Sequence, residues 1–398
     1  MKRKPVRGYM MIGVAAAVLP QWAGAASSLT DALSEGKTTL DIRYRYEHVD
    51  QDNALKNADA STVRSRLGYG TGSLYGLHAF LELENVTAIG SQDFNSGTNG
   101  RTAYSVVADP IGSQADQAYV AWDAPGATTV TLGRQVINLD NQRFVGRVDW
   151  RQMGQTFDAV SLVNKSLRDT AITYAYVSNV DRISATSAKM NSNLLNVGYS
   201  GWAIGTLSAY AYLLDFDTTP GASTQTYGLR FAGGTAVGAG KALYAAEFAQ
   251  QSDYGKNPGS YDLNYMLAEL GALWSGVTAR LGYEVLEGDG THSVQTPLAT
   301  LHAFNGWADQ FATTPATGLE DGYVSLGGEV AGVGLLAAYH DFKPNQGGGD
   351  LGSEIDLQVA TKIDKHYMLL AKYASYSAGS AAGKVDTDKL WLMGELTF

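Results

Sequence analysis

The chain has 398 residues, no cysteine, 29 basic against 39 acidic side chains and a formal charge of −10. Without cysteine there is no disulfide framework, thiolate metal site or cysteine nucleophile, and the acidic balance excludes the basic footprint that nucleic acid requires. Glycine (46) and tyrosine (23) are abundant and proline (9) is scarce, which suits tight turns and aromatic belts and leaves backbone donors free for a strand ladder.

Lys2, Arg3, Lys4 and Arg7 open the chain, residues 10–19 are apolar and small, and Ala23-Gly24-Ala25 forms a small-x-small cleavage site. That pattern predicts a secretory signal peptide over 1–25 and a mature chain of 26–398, with a charge of about −14 once the four cations are removed. No later stretch reaches the roughly 18 to 20 consecutive apolar residues of a transmembrane helix; residues 330–339 come nearest.

Alternating runs then recur, with turn signals between them. The first covers 39–49, where Ile42, Tyr44 and Tyr46 oppose Asp41, Arg43, Arg45 and Glu47; a polar loop (50–60) leads to 62–70, with Arg64 and Arg66 on one face. A tight turn at 71–73 precedes 75–87, where Leu77, Ala79, Leu81 and Leu83 oppose His78, Phe80, Glu82 and Glu84. A long loop (88–113), a strand (114–123), a short turn (124–126) and a strand (128–136) follow, then a second long loop (137–155) and a strand (156–164). Further short turns are expected near 165–168, 200–202, 233–241, 273–276, 331–332 and 364–366. Longer loops are expected near 179–191, 217–223, 252–260, 288–320, 343–352 and 378–386.

Short and long connections alternating in this way predict an all-β fold: a transmembrane, antiparallel up-and-down β-barrel of about 18 strands in the outer membrane of a Gram-negative cell. The short turns then face the periplasm. Trp122, Trp202 and Trp274 each sit beside a short turn, as one interfacial aromatic ring requires. The final run sets Leu390, Leu392, Leu396 and Phe398 against Lys389, Trp391, Met393, Glu395 and Thr397, the pattern of a closing barrel strand.

A charge facing lipid at the bilayer midplane costs roughly 2–4 kcal/mol, so Arg43, Arg45, Arg64, Arg66, Glu82 and Glu84 are expected to face the lumen. Arg230, Glu247, Arg280 and Glu284 share the polar parity further round. Facing rows of guanidinium and carboxylate orient polar or anionic solutes. A second constellation runs from Gly133-Arg134-Gln135 through Arg143 and Gly146-Arg147-Val148-Asp149-Trp150-Arg151-Gln152 to Phe157-Asp158-Ala159. Its three loop arginines offer paired planar donors to a carboxylate. A third, 298–311, is aromatic-rich and contains His302, Trp307 and Asp309; its loop is too long for a mere connector.

These last two segments, in this order, resemble the alginate-export family of outer-membrane proteins. The resemblance implies an arginine-lined constriction near Arg134, Arg143, Arg147, Asp149, Arg151 and Asp158, and carries His302, Trp307 and Asp309 as motif residues. The chain departs from a dedicated exporter in having only short predicted periplasmic turns.

The first reading is therefore a porin-like channel for polar or anionic solutes. The second is an export port for an anionic polysaccharide such as alginate, and a barrel hydrolase built on His340, Asp341 and His302 is a remote third. Expected partners are outer-membrane lipid and lipopolysaccharide and the solute; no cofactor is expected. The six histidines lack metal-ligand spacing, Asp50-x-Asp52-Asn53 lacks the glycine and glutamate of a calcium loop, and Gly347-Gly348-Gly349 lacks a phosphate-loop lysine.

Overall fold

The computed structural model describes residues 26–381 and 383–398, so the expected signal peptide lies outside the described residues. A short helix, α1 (Leu29–Ser34), comes first, capped by Ser28, whose hydroxyl accepts from Asp31 N. The side chain thereby satisfies one of the open donors of the first turn. Gly72 N in turn donates to Ala32 O at 2.7 Å, tying α1 to the turn after the second strand.

The strands follow in sequence: β1 (Lys37–Gln51), β2 (Ala58–Gly70), β3 (Leu77–Asp93), β4 (Gly112–Ala124), β5 (Thr128–Gln135) and β6 (Thr156–Asn164). Then come β7 (Thr170–Asp181), β8 (Ser187–Trp202), β9 (Gly205–Leu214), β10 (Thr224–Val237), β11 (Gly240–Asp253) and β12 (Asp262–Trp274). The last are β13 (Val277–Leu286), β14 (Leu319–Val330), β15 (Val333–Lys343), β16 (Gly352–Lys362), β17 (Tyr367–Ala378) and β18 (Thr387–Thr397). Each pairs antiparallel with the next, and β18 pairs with β1 from Asp41↔Thr397 to Gln51↔Thr387, closing an 18-stranded barrel. Closure removes every sheet edge, the condition for crossing a bilayer with strands.

Side-chain alternation divides wall from lumen. On β3, Leu77, Leu81 and Leu83 are exposed on the outside, while His78, Phe80, Glu82 and Glu84 are buried within. On β18, Leu390 and Leu392 face out, and Lys389, Trp391, Met393 and Glu395 are buried inside. Leu67, Leu229, Leu270 and Leu326 extend the exposed apolar band. Trp122, Trp202 and Trp274 project from this band beside short turns, as one interfacial ring. The chain end is zipped in: Phe398 exchanges backbone hydrogen bonds with Leu40 (2.8 and 3.0 Å), and its ring stacks on His366 at 4.3 Å.

Two expectations are revised. The long loop expected over 179–191 is a tight hairpin of residues 182–186, because β7 and β8 continue past the apolar band. Above the lipid a strand no longer needs an apolar outer face, so polar composition there does not mark a loop. The lumen is also not simply water-filled. The first inner loop (136–155) and the second inner loop (287–318) turn into the barrel and meet at the Val145–Leu298 bridge.

Candidate pore constriction

The first inner loop crosses the lumen with an anchor on each wall. On the near side, Arg43 Nη1 donates to Asp149 O at 2.8 Å, and Gln152 reaches Thr62 Oγ1 at 2.9 Å. Gln152 N also donates to Asp109 Oδ1 at 3.0 Å. On the far side, Phe144 packs among Tyr210, Tyr212 and Tyr265, with ring centroids at 5.4, 6.1 and 5.2 Å. Gln155 Nε2 joins the two inner loops by donating to Gly146 O (2.8 Å) and Leu298 O (3.0 Å).

Around this crossbar the expected arginines converge. Arg43 donates to Glu395 at 3.0 and 2.6 Å, and Arg64 to Asp41 (2.7 Å) and Glu395 (3.2 Å). Arg66 pairs with Glu84 and approaches Asp116 and Asp149, both at 3.6 Å. Arg147 pairs with Asp116 and with Asp149 (2.6 Å), with Glu82 at 3.6 Å. Arg45 joins Glu47 at 2.9 Å, and Arg151 bridges Glu47 and Asp309, each at 2.9 Å. Arg143 spans to the other wall, donating to Glu284 (2.7 Å), Thr296 (3.0 Å) and Asn305 (3.0 Å). Burial opposes the charge of Arg143, Arg147 and Arg151, but the facing carboxylates outweigh it and hold all three above their ordinary pKa.

The second inner loop is held from beneath by strand carboxylates. Ala308 N donates to Glu354 (2.7 Å) and Trp307 N to Asp356 (3.3 Å), while Asn305 donates to Glu284 (2.6 Å) and Asp321 (3.1 Å). Lys372 Nζ lies 4.1 Å from the Trp150 ring centre, 3.5 Å from that of Trp307, and 2.9 Å from His302 Nε2.

The remaining expected residues lie apart. Arg230 pairs with Glu247 at 2.7 Å, and Arg280 pairs with Glu269, on the wall half-way round from β1. Arg134 is bonded to Asp158 (2.8 Å) and Asp181 (2.7 Å). Arg134 and Asp158 share the parity of Leu132 and Val160, both exposed on the outer wall. The ladder therefore turns this pair outward near the extracellular end, while the next residue, Gln135, faces inward and accepts from the Ser161 hydroxyl at 2.5 Å. The resemblance carried these two residues into the constriction; strand alternation takes them out of it.

Glu47, Asp109, Asp116, Lys372, Lys389 and Glu395 belong to the cluster without having been singled out. Inward parity on the last two strands signals Lys372, Lys389 and Glu395. Asp116 sits where the β3–β4 register shifts, between Glu82↔Gln117 and Leu83↔Ala115, so parity alone cannot place it.

The family model for alginate export matches residues 36–285, well over half of the chain. The chain belongs to the alginate export family. Among solved structures, this member is similar to OccK9 (OpdG) of Pseudomonas aeruginosa, at 15% identity and a TM-score of 0.73 over 92% of this chain and 100% of that one. OpdK of the same organism, solved with vanillate, gives 16% and 0.72 over 92% and 100%. OccAB2 of Acinetobacter baumannii gives 16% and 0.71 over 92% and 99%. No curated relative matches the chain. At these identities the likeness shows the shared fold, a closed outer-membrane barrel. The alginate-export match takes in the first inner loop with Arg143, Arg147 and Arg151, and ends before the second.

Proposed function

We propose that this alginate-export-family barrel is an outer-membrane channel for polar, anionic solutes, with the two inner loops forming its constriction. The observation that carries the reading is the charge inside the lumen. Replacing a buried ion pair by well-packed apolar residues is commonly neutral or stabilising, so a barrel that only needed filling would not require one. Here Arg43, Arg64, Arg66, Arg147 and Arg151 are all buried beside carboxylates. Arg64 Nε and Nη1, Arg66 Nη2 and Arg147 Nη1 have no hydrogen-bond partner among the described residues. Such N–H groups are spare donors inside the charged cluster, which a carboxylate reaching that cluster would satisfy.

The test is conductance of the purified protein in a planar bilayer under a salt gradient. The wild type should conduct with a reversal potential of anion sign. The Arg147→Ala/Arg151→Ala double variant should shift toward cations, most at low salt where screening is weak. An unchanged reversal potential would remove the arginines from selectivity.

The second reading, an export port for an anionic polysaccharide, is favoured by the family match. Alginate fragments added on the periplasmic side should then block the current more strongly as they lengthen, and an effect independent of length would count against export. Among the described residues, the histidine of the hydrolase reading faces carboxylates: His340 directs Nδ1 to Asp321 at 2.9 Å and has Nε2 3.8 Å from Asp356.

A further inference from the structure

Between Asp289 and Glu320 the second inner loop has a single carboxylate, Asp309. Two other elements grip it. Asp309 Oδ2 accepts from Arg151 Nη2 of the first inner loop at 2.9 Å and from Lys389 Nζ of β18 at 3.1 Å. Its Oδ1 is 2.8 Å from His302 Nδ1 of its own loop. The His302 ring lies flat on Trp150, with centroids 4.5 Å apart and planes 2° apart, and Trp391 stands edge-on to it at 5.5 Å. A flat ring on an indole face, with a carboxylate beside it between two cations, is the layout of an aromatic carboxylate.

The receiving side is also held from the barrel wall. Trp150 is held by Arg45, which bonds its carbonyl and places its guanidinium 4.3 Å from the ring centre. Arg151 is fixed by Glu47 at 2.9 Å. Asp309 itself has φ +58°, a left-handed conformation that Asp adopts more readily than most non-glycine residues, and the grip holds it there.

We propose that Trp150, Arg151 and Lys389 form a subsite for a planar aromatic carboxylate, and that the His302–Asp309 pair occupies it as a built-in competitor. The assignment rests on the channel reading for how a solute arrives, while binding requires no conduction. The test is tryptophan emission of the purified full-length protein in detergent, titrated with benzoate and with benzamide. Benzoate should change the emission saturably and benzamide should not. Asp309→Asn, confirmed as folded by its heat-dependent gel migration, removes the competitor's charge and should bind benzoate at least about tenfold more tightly. Equal responses to benzoate and benzamide, or an Asp309→Asn affinity no higher than wild type, would overturn the subsite. The wild-type comparison needs no variant. Benzoate-specific binding without conductance removes the channel reading and leaves the subsite; conductance without such binding does the reverse.

Discussion

Arg66 shows what a lumen charge does at the scale of one side chain. Parity places it inward, and facing water it could be removed at little cost. Folded, it is buried and pairs with Glu84, whose other partner is the neutral amide of Gln114 at 3.1 Å. Removing one member of a buried pair leaves an uncompensated charge and costs about 3–5 kcal/mol, whereas replacing both by apolar residues of similar volume is often neutral. Arg66→Met should therefore lower the denaturant midpoint of unfolding markedly, and Arg66→Met/Glu84→Met should recover most of the loss. A single variant as stable as wild type would mean that water already solvates the pair.

At the scale of elements, the inner loops were partly legible. The span expected for the first, 137–155, agrees with the structure to within one residue, because β5 and β6 end where their alternation ends. Its inward course was not legible, since polar loop composition is the same whether a loop extends outward or folds back. The pairing was equally hidden: Arg43 meets Glu395 across nearly the whole chain, and only barrel closure brings them together. Docking of the second inner loop should depend on pH through His302. Burial, then the Lys372 charge of β17 and that of Arg151, push its pKa down to about 3, with Asp309 opposing. The docked state therefore binds a proton less readily than a released loop, whose imidazole titrates near 6.5. Docking is strongest above that value and weakens as pH falls from 6.5 toward 3. Emission from the tryptophan cluster should report release over that window, and His302→Gln should flatten the profile. Identical profiles for the two proteins would assign acid release to other groups.

At the scale of the whole molecule, strand number and hairpin phase were legible because turn length alternates with the side of the membrane. The ends of β7 and β8 were not, because the apolar band, the only part that lipid dictates, stops before the strands do. The same phase fixes orientation. An interfacial ring of Trp122, Trp202 and Trp274 lies at the short-turn end, and Phe398 closes the wall at that same end beside the turn containing His366. Short turns belong to the periplasm and long loops to the outside, so single cysteines at Asn99, Thr291 or Gln346 should react with an impermeant maleimide on intact cells. Cysteines at Arg168 or Lys365, both exposed at short turns, should react only after the outer membrane is opened. The wild type has no cysteine, so the background is clean. Labelling of Arg168→Cys and Lys365→Cys on intact cells, with protection of the other three, would reverse the barrel. It would also place the inner loops at the periplasmic mouth.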